Sequence, residues 1–290
     1  MSSRPIPLSV RCLAEALGTA ILVFFGLGAV HAAVLTGALS GLWQVAIVWA
    51  LAVMLAIYVV GGISGAHINP AITVAFAVWR KFPWREVPAY ALSQTAGAFA
   101  AAALLFLLYS PYLAEKEKQK EVKRGELGSI VTAMCYGEFF PNPGKLADGD
   151  KPYNPEDHER HNKTVSEQVA FTAEAVGTMI LALVVFAVTD SRNGVAPQAR
   201  LAPAFIGLTV AALIVVIAPL TQACFNPARD VGPRLFTFLA GWGSAARGRG
   251  TGFVAVYVVA PVVGAVVGGG LYTLVLRRWL PEAAEEKSSS

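Results

Sequence analysis

AEALGT at Ala14–Thr19 and AEAVGT at Ala173–Thr178 differ at a single position. Each hexapeptide is followed by Asn-Pro-Ala at nearly the same distance: Asn69 lies 54 positions after Glu15, and Asn226 lies 52 positions after Glu174. The chain is therefore two copies of one unit, and the fold follows from what that unit contains.

Outward from these anchors, six stretches are apolar and long enough to cross a hydrocarbon core about 30 Å thick, which takes about 20 helical residues. They run over 9–31, 42–61, 86–109, 166–189, 201–219 and 252–277. Backbone polar groups in lipid must be paired within the segment, so the stretches read as helices, and no ten-residue alternating segments suggest a barrel. Three spans fall in each copy. A unit with an odd number of crossings, repeated in tandem, inserts its second copy upside down. The sequence thus predicts an all-α membrane protein built as an inverted three-span repeat.

Two apolar stretches remain, Asn69–Val78 and Asn226–Leu239, both too short to cross. Ten helical residues reach about 15 Å, so two of them entering from opposite faces make one crossing between them. At each start, asparagine is a good N-cap and the following proline suits the first helical turn. Asn69 and Asn226 are expected to cap two re-entrant half-helices at the midplane, each keeping an amide donor toward a pore. Glu15 and Glu174 are costly inside spans unless they face the bundle interior. Their expected task is to orient the loops that carry the half-helices. A proton relay is disfavoured because no further acidic or histidine partners continue it.

Composition agrees. Of 290 residues, 55% are apolar and 14% charged, and the mean hydropathy is +0.55; soluble domains are nearer 25% charged. The net charge of +4 comes from scattered residues with no aromatic-interleaved stripe, so no nucleic-acid partner is expected. Cys12, Cys135 and Cys224 stand far apart, suggesting neither a zinc site nor a disulfide framework, and Cys12 and Cys224 read as small packing residues inside spans. No metal or cofactor is implied. No nucleophile and base stand at an interpretable spacing, so no catalytic residue and no enzyme activity are expected. The first 30 residues read as a retained span, not a leader.

The chain reads as a single membrane channel domain over 1–290: a first repeat over 9–109, a polar loop insertion over 110–165, a second repeat over 166–277 and a flexible tail over 278–290. Within the insertion, the run Glu115–Arg124 reads as a solvated helix and Pro141–Pro155 as loop. Small residues in Gly97–Ala103 and Gly264–Gly270 read as helix-packing surfaces. Lysine and arginine are divided almost evenly between the two faces, but the cluster Arg80, Lys81 and Arg85 favours a cytoplasmic connector, which puts both termini inside.

SGAHINPAITVAFAVW (Ser64–Trp79) and NPARDVGPRLFTFLAGWG (Asn226–Gly243) resemble the two signature loops of the major intrinsic proteins, the aquaporins and glycerol facilitators. The resemblance runs from Leu13 to about Leu276. It implies a passive channel in the plasma membrane, surrounded by lipid and assembled as a homotetramer. Asp230, Arg234, Tyr109 and Val258 match the glycerol-conducting branch, whereas Tyr257 departs from it, since glycerol channels usually carry proline there.

By resemblance, the selectivity constriction falls on Trp49, Ile214, Ala223 and Arg229. Trp49 and Arg229 match glycerol facilitators, but Ile214 and Ala223 do not. The four together are similar to plant nodulin-26-like channels, which conduct glycerol and in some cases lactic or metalloid acids. Backbone carbonyls of Gly65, Ala66, His67, Gln222, Ala223 and Cys224 are expected to accept hydroxyl protons while Trp49 and Ile214 face the carbon skeleton. The expected function is conduction of glycerol, other small neutral solutes and water, with ions and protons excluded. A water-selective channel is the alternative, supported by Tyr257. A secondary active transporter is a weaker one, because the spans lack further midplane carboxylates.

Overall fold

The computed structural model describes residues 5–249 and 252–281, so the expected tail beyond Pro281 lies outside the described residues. Among the described residues six helices are long and apolar enough to cross a membrane: α1 Leu8–Thr36, α2 Leu42–Ser64, α4 Trp84–Gln119, α6 Glu167–Val188, α7 Ala202–Thr221 and α9 Gly252–Trp279. Between them lie two short helices, α3 Pro70–Trp79 and α8 Pro227–Thr237. A further helix, α5 Pro155–Asn162, stands in the connector between the halves.

The two halves pack by one rule. In the first, α1 lies against α2 and α4; in the second, α6 lies against α7 and α9; α2 and α7 join the halves. The short helices are exchanged, α3 packing on α9 and α8 on α4. Close approach depends on small residues. A Cβ on Gly97 would sit 2.0 Å from Ala16 O, and one on Gly264 would sit 2.1 Å from Ala175 O, so the third helix of each half rests directly on the backbone of the first. Large apolar side chains such as Leu92, Leu107 and Val216 face outward, as a lipid-facing surface requires.

The structure corrects the sequence reading at two points, the connector and Cys224. The run Glu115–Arg124 is not a separate solvated helix, because α4 continues to Gln119 and the chain turns at Glu121, whose φ is 54°. Several of its charges point inward: Glu117 is buried and accepts from Arg124 Nε and Thr132 Oγ1 at 3.0 and 2.9 Å, and Lys120 Nζ donates to Asp148 O at 2.6 Å. Beyond the turn the chain forms a packed lobe, with Met134, Cys135, Tyr136 and Phe139 buried in a cluster with Trp242. Cys224 lies after the end of α7 in the loop before α8, not inside a span.

Candidate pore and its filter

The two half-helices begin as the same local structure. Asn69 and Asn226 have extended φ of −159° and −148°, and each is followed by proline in the first turn. Asn69 Oδ1 accepts from Ala71 N at 2.9 Å; Asn226 Oδ1 accepts from Ala228 N at 3.1 Å and Arg229 N at 3.4 Å. Such caps contribute about 1 kcal/mol each. The amide nitrogens cross over: Asn69 Nδ2 donates to Phe225 O and Asn226 Nδ2 to Ile68 O, both at 2.8 Å. An amide nitrogen has two N–H bonds, so each asparagine retains a second donor, and both residues line one cavity. The half-helix N-termini therefore abut, each carrying about half a positive charge.

Glu15 and Glu174 hold the loops in front of these caps. Glu15 is fully buried and accepts from Ser64 Oγ (2.6 Å), His67 N (2.9 Å), Ile68 N (2.6 Å) and Gln94 Nε2 (2.7 Å). Glu174, equally buried, accepts from Thr221 Oγ1 (2.6 Å), Cys224 N (2.9 Å) and Phe225 N (2.9 Å). Backbone N–H groups consumed on the glutamate side leave the carbonyl edge of the loop free for the lumen. Ile68 and Phe225, with φ of 43° and 54°, sit in the left-handed region that a β-branched or bulky side chain rarely adopts. Their tight anchoring offsets that strain, which costs on the order of 1–3 kcal/mol per residue.

Trp49, Ile214, Ala223 and Arg229 are buried and line the same cavity of about 270 Å³ as Asn69 and Asn226. So do Gly65, Ala66, His67 and Cys224. The guanidinium of Arg229 lies 4.4 Å from the centre of the Trp49 ring, so this tryptophan faces the pore and not lipid. Trp49, Ile214 and Arg229 also border a second, larger space, the vestibule on the connector side, lined further by Gln222, Glu138 and Lys116. Trp49, Ile214 and Arg229 therefore sit where the vestibule meets the inner cavity. At its far end the inner cavity is bordered by Thr189, Ala199 and Pro203. On that face Asp190 accepts from Arg277 Nε (2.7 Å) and Tyr272 Oη (3.1 Å). Burial alone would raise its carboxyl, but Arg192 N and these donors hold it below its ordinary value.

Other positions lie one layer back. Asp230 does not pair with Arg229; it takes Arg234 Nε and Nη2 at 2.8 and 2.7 Å and Glu138 N at 2.7 Å. Arg234 Nη2 also donates to Glu138 O, so Asp230 and Arg234 clamp the connector onto α8, while Arg234 Nη1 donates to Ala246 O at 2.5 Å in the segment after α8. Tyr109 packs on His31, with ring centres 5.1 Å apart. Tyr257 is buried outside the cavity lining, and its hydroxyl donates to Thr221 O at 3.2 Å, as Tyr90 does to Ser64 O at 3.1 Å in the other half.

The sequence reading did not single out Glu138, Ser64, Thr221, Gln94 or Tyr90. Glu138 Oε1 is ion-paired with Arg229 Nη1, and both side chains are buried. Its segment is bolted to the filter loop by Phe139 N to Gln222 Oε1 at 3.0 Å and Gln222 Nε2 to Met134 O at 3.1 Å. A signal was present in three of these cases. Ser64 and Thr221 stand five positions before the two asparagines, and Glu138 is the lone carboxylate within the apolar stretch 130–140.

With this geometry in hand, comparison with known proteins is specific. A profile described as "Major intrinsic protein" matches residues 3–272. A glycerol uptake facilitator protein of Pseudomonas aeruginosa is 41% identical over 276 residues, covering 94% of this chain and 91% of that one. That of Escherichia coli K12 is 40% identical over 281 residues, 96% and 92% of the two chains. The propanediol uptake facilitator PduF of Citrobacter freundii is 39% identical over 276 residues, 94% of each. Among solved structures, the X-ray structure of the aquaglyceroporin from Plasmodium falciparum is similar, with a TM-score of 0.75 at 26% identity, covering 93% of this chain and 97% of that one.

Proposed function

The chain belongs to the major intrinsic protein family, and we propose from that premise that its pore filters solutes of the glycerol class between the guanidinium of Arg229 and the apolar wall of Trp49 and Ile214. It is a multi-pass membrane channel for glycerol and similar small neutral solutes, not an enzyme. Channel selectivity rests on pore width, on lining donors and acceptors, and on electrostatic barriers. The stacked Arg229–Trp49 pair is the observation that carries the reading, because it sets a hydrogen-bond donor beside an apolar face at one level of the lumen. A polyol meets both, its oxygens along one edge and its carbons along the other.

Asn69 and Asn226 donate from the centre, and carbonyls of Gly65, Ala66, His67, Gln222, Ala223 and Cys224 accept along the loops. Cations are opposed by the two half-helix N-termini together with Arg229. Glu15 and Glu174 keep the loops oriented; Asp230 and Arg234 keep the connector on the filter. Water selectivity is the second reading, and its support from Tyr257 weakens, since that ring stands behind the lining and caps α7.

Plasma-membrane placement is supported by family membership, and cytoplasmic termini by Arg80 and Lys81 between α3 and α4 with Arg85 in the first turn of α4. Homotetramer assembly is supported by family membership. The function is tested by stopped-flow light scattering on proteoliposomes, with water, glycerol, urea and lactic acid run in parallel. Rapid re-swelling in glycerol is expected. Fast water flux with glycerol excluded would replace this reading with the water-selective one.

A further inference from the structure

The inverted repeat relates more than the two asparagines. The separation that carries Asn69 onto Asn226 carries Trp49 onto Ile206, and it relates Ile57 to Ile214, Ala66 to Ala223 and Ile72 to Arg229. Each partner sits on the matching element: Ile206 on α7 as Trp49 on α2, Ile57 on α2 as Ile214 on α7, Ile72 in the first turn of α3 as Arg229 in that of α8. Ala66 and Ala223 share a left-handed backbone, with φ of 48° and 64°. All four counterparts line the inner cavity, on the opposite side of the asparagine pair from the vestibule.

The two sets share an isoleucine and an alanine and differ at the other two positions: where one has an indole and a guanidinium, the other has Ile206 and Ile72. We infer that Ile57, Ala66, Ile72 and Ile206 form a second, aliphatic specificity ring, which selects solutes whose hydroxyl groups lie along one edge, such as linear 1,2-diols and 1,2,3-triols. The inference rests on the polyol reading of the pore and adds these residues to its filter.

The reason is desolvation. A polar group taken from water to an apolar wall without a new hydrogen bond is strongly disfavoured. At this level the isoleucine side chains offer no partner, so hydrogen-bonding groups come from the loop of Gly65 and His67. A solute with C–H groups on its other edge loses nothing against the isoleucines. Urea, with N–H groups on both sides of its carbonyl, leaves donors unpaired. A terminal methyl suits the ring as well as a terminal hydroxymethyl, so 1,2-propanediol passes beside glycerol.

Threonine and valine have the same shape, so replacing isoleucine by each in turn separates polarity from width. Ile206→Thr and Ile206→Val, with Ile57→Thr and Ile57→Val as the second pair, are reconstituted in proteoliposomes and assayed with glycerol, 1,2-propanediol and urea. The added hydroxyl should raise the urea-to-glycerol permeability ratio about fivefold over the valine partner, the worth of one net hydrogen bond. The propanediol-to-glycerol ratio should fall. If one pair fails to reconstitute, the other decides. Equal ratios in threonine and valine variants that still conduct glycerol overturn the ring while leaving the polyol channel standing. A wild-type protein that conducts no glycerol overturns the polyol reading itself, and the ring with it.

Discussion

The Cβ that Gly26 lacks would lie 2.4 Å from Cζ3 of Trp49, so the filter's indole occupies space that only a glycine on α1 leaves free. On its other side the indole is stacked against Arg229, 4.4 Å from ring centre to guanidinium, and both border the lumen. Overpacking such a site costs about 1–3 kcal/mol unless something moves, and the pore is the open direction. Gly26→Ala should therefore push Trp49 inward and lower glycerol permeability by about tenfold, with water reduced less, in stopped-flow assays on matched proteoliposomes. Unaltered glycerol flux would mean that α1 yields instead of the indole.

Glu138 and Arg229 form a buried pair, and losing one partner of such a pair typically costs about 3–5 kcal/mol. Glu138→Gln should lower the thermal unfolding midpoint in detergent. Arg229→Ala leaves a carboxylate without its cation at the filter, so it should admit protons or cations that the parent protein excludes. The double variant should recover part of both losses, because the two side chains are coupled. A dye assay of proton leak under an imposed potential, beside melting curves of all four proteins, reads the cycle. Strictly additive losses would count against a functional pair.

How far the sequence reached depends on the kinds of signal involved. Span length, hydropathy and the doubled Asn-Pro-Ala anchors are local or periodic, so the six helices and two half-helices were legible without coordinates. Trp49, Ile214, Ala223 and Arg229 were placed by the family resemblance, counted from those anchors, and they line one cavity. The pairing of Glu138 with Arg229 was not legible. It joins Arg229 of α8 to a residue of a connector with no counterpart in the repeat, and charges such as Glu117 and Lys120, which read as solvated, instead pack that connector inward. Tyr257, which by resemblance supported a water-selective channel, had a structural task not legible in the sequence: its hydroxyl caps a helix end one layer behind the lining.

Glu15 takes four hydrogen bonds and Glu174 three, the difference being Gln94. Glutamine at either position turns an acceptor into an N–H group facing other N–H groups. Hydrogen bonds to a charged acceptor are worth about 1.5–3 kcal/mol each, so both substitutions should destabilise, and Glu15→Gln more than Glu174→Gln. Selectivity should divide the other way. The loop held by Glu174 carries Ala223 at the vestibule filter, so Glu174→Gln should alter the urea-to-glycerol ratio more strongly. Equal melting temperatures for the two variants and the parent protein would remove the glutamates from the role assigned to them.

His158 on α5 is buried and shares a hydrogen bond of 2.5 Å with the Tyr153 hydroxyl. Burial, and then the neighbouring His161, hold its imidazole below the ordinary value of 6.5. The sign comes from proton counting: the unfolded connector binds the proton more readily than the folded one. The contribution of His158 to connector stability is therefore complete above pH 6.5 and is lost as the pH falls toward the lowered folded-state value. The effect reaches the vestibule, because His161 Nε2 donates to Asn142 O at 2.9 Å and Asn142 Nδ2 donates to Ala218 O at 2.7 Å, one turn of α7 beyond Ile214. Amide exchange over 153–162, corrected for its intrinsic pH dependence, should accelerate between about pH 7 and about pH 5, and His158→Phe should flatten that dependence. Acceleration that survives in His158→Phe would transfer the sensitivity to another group of the connector.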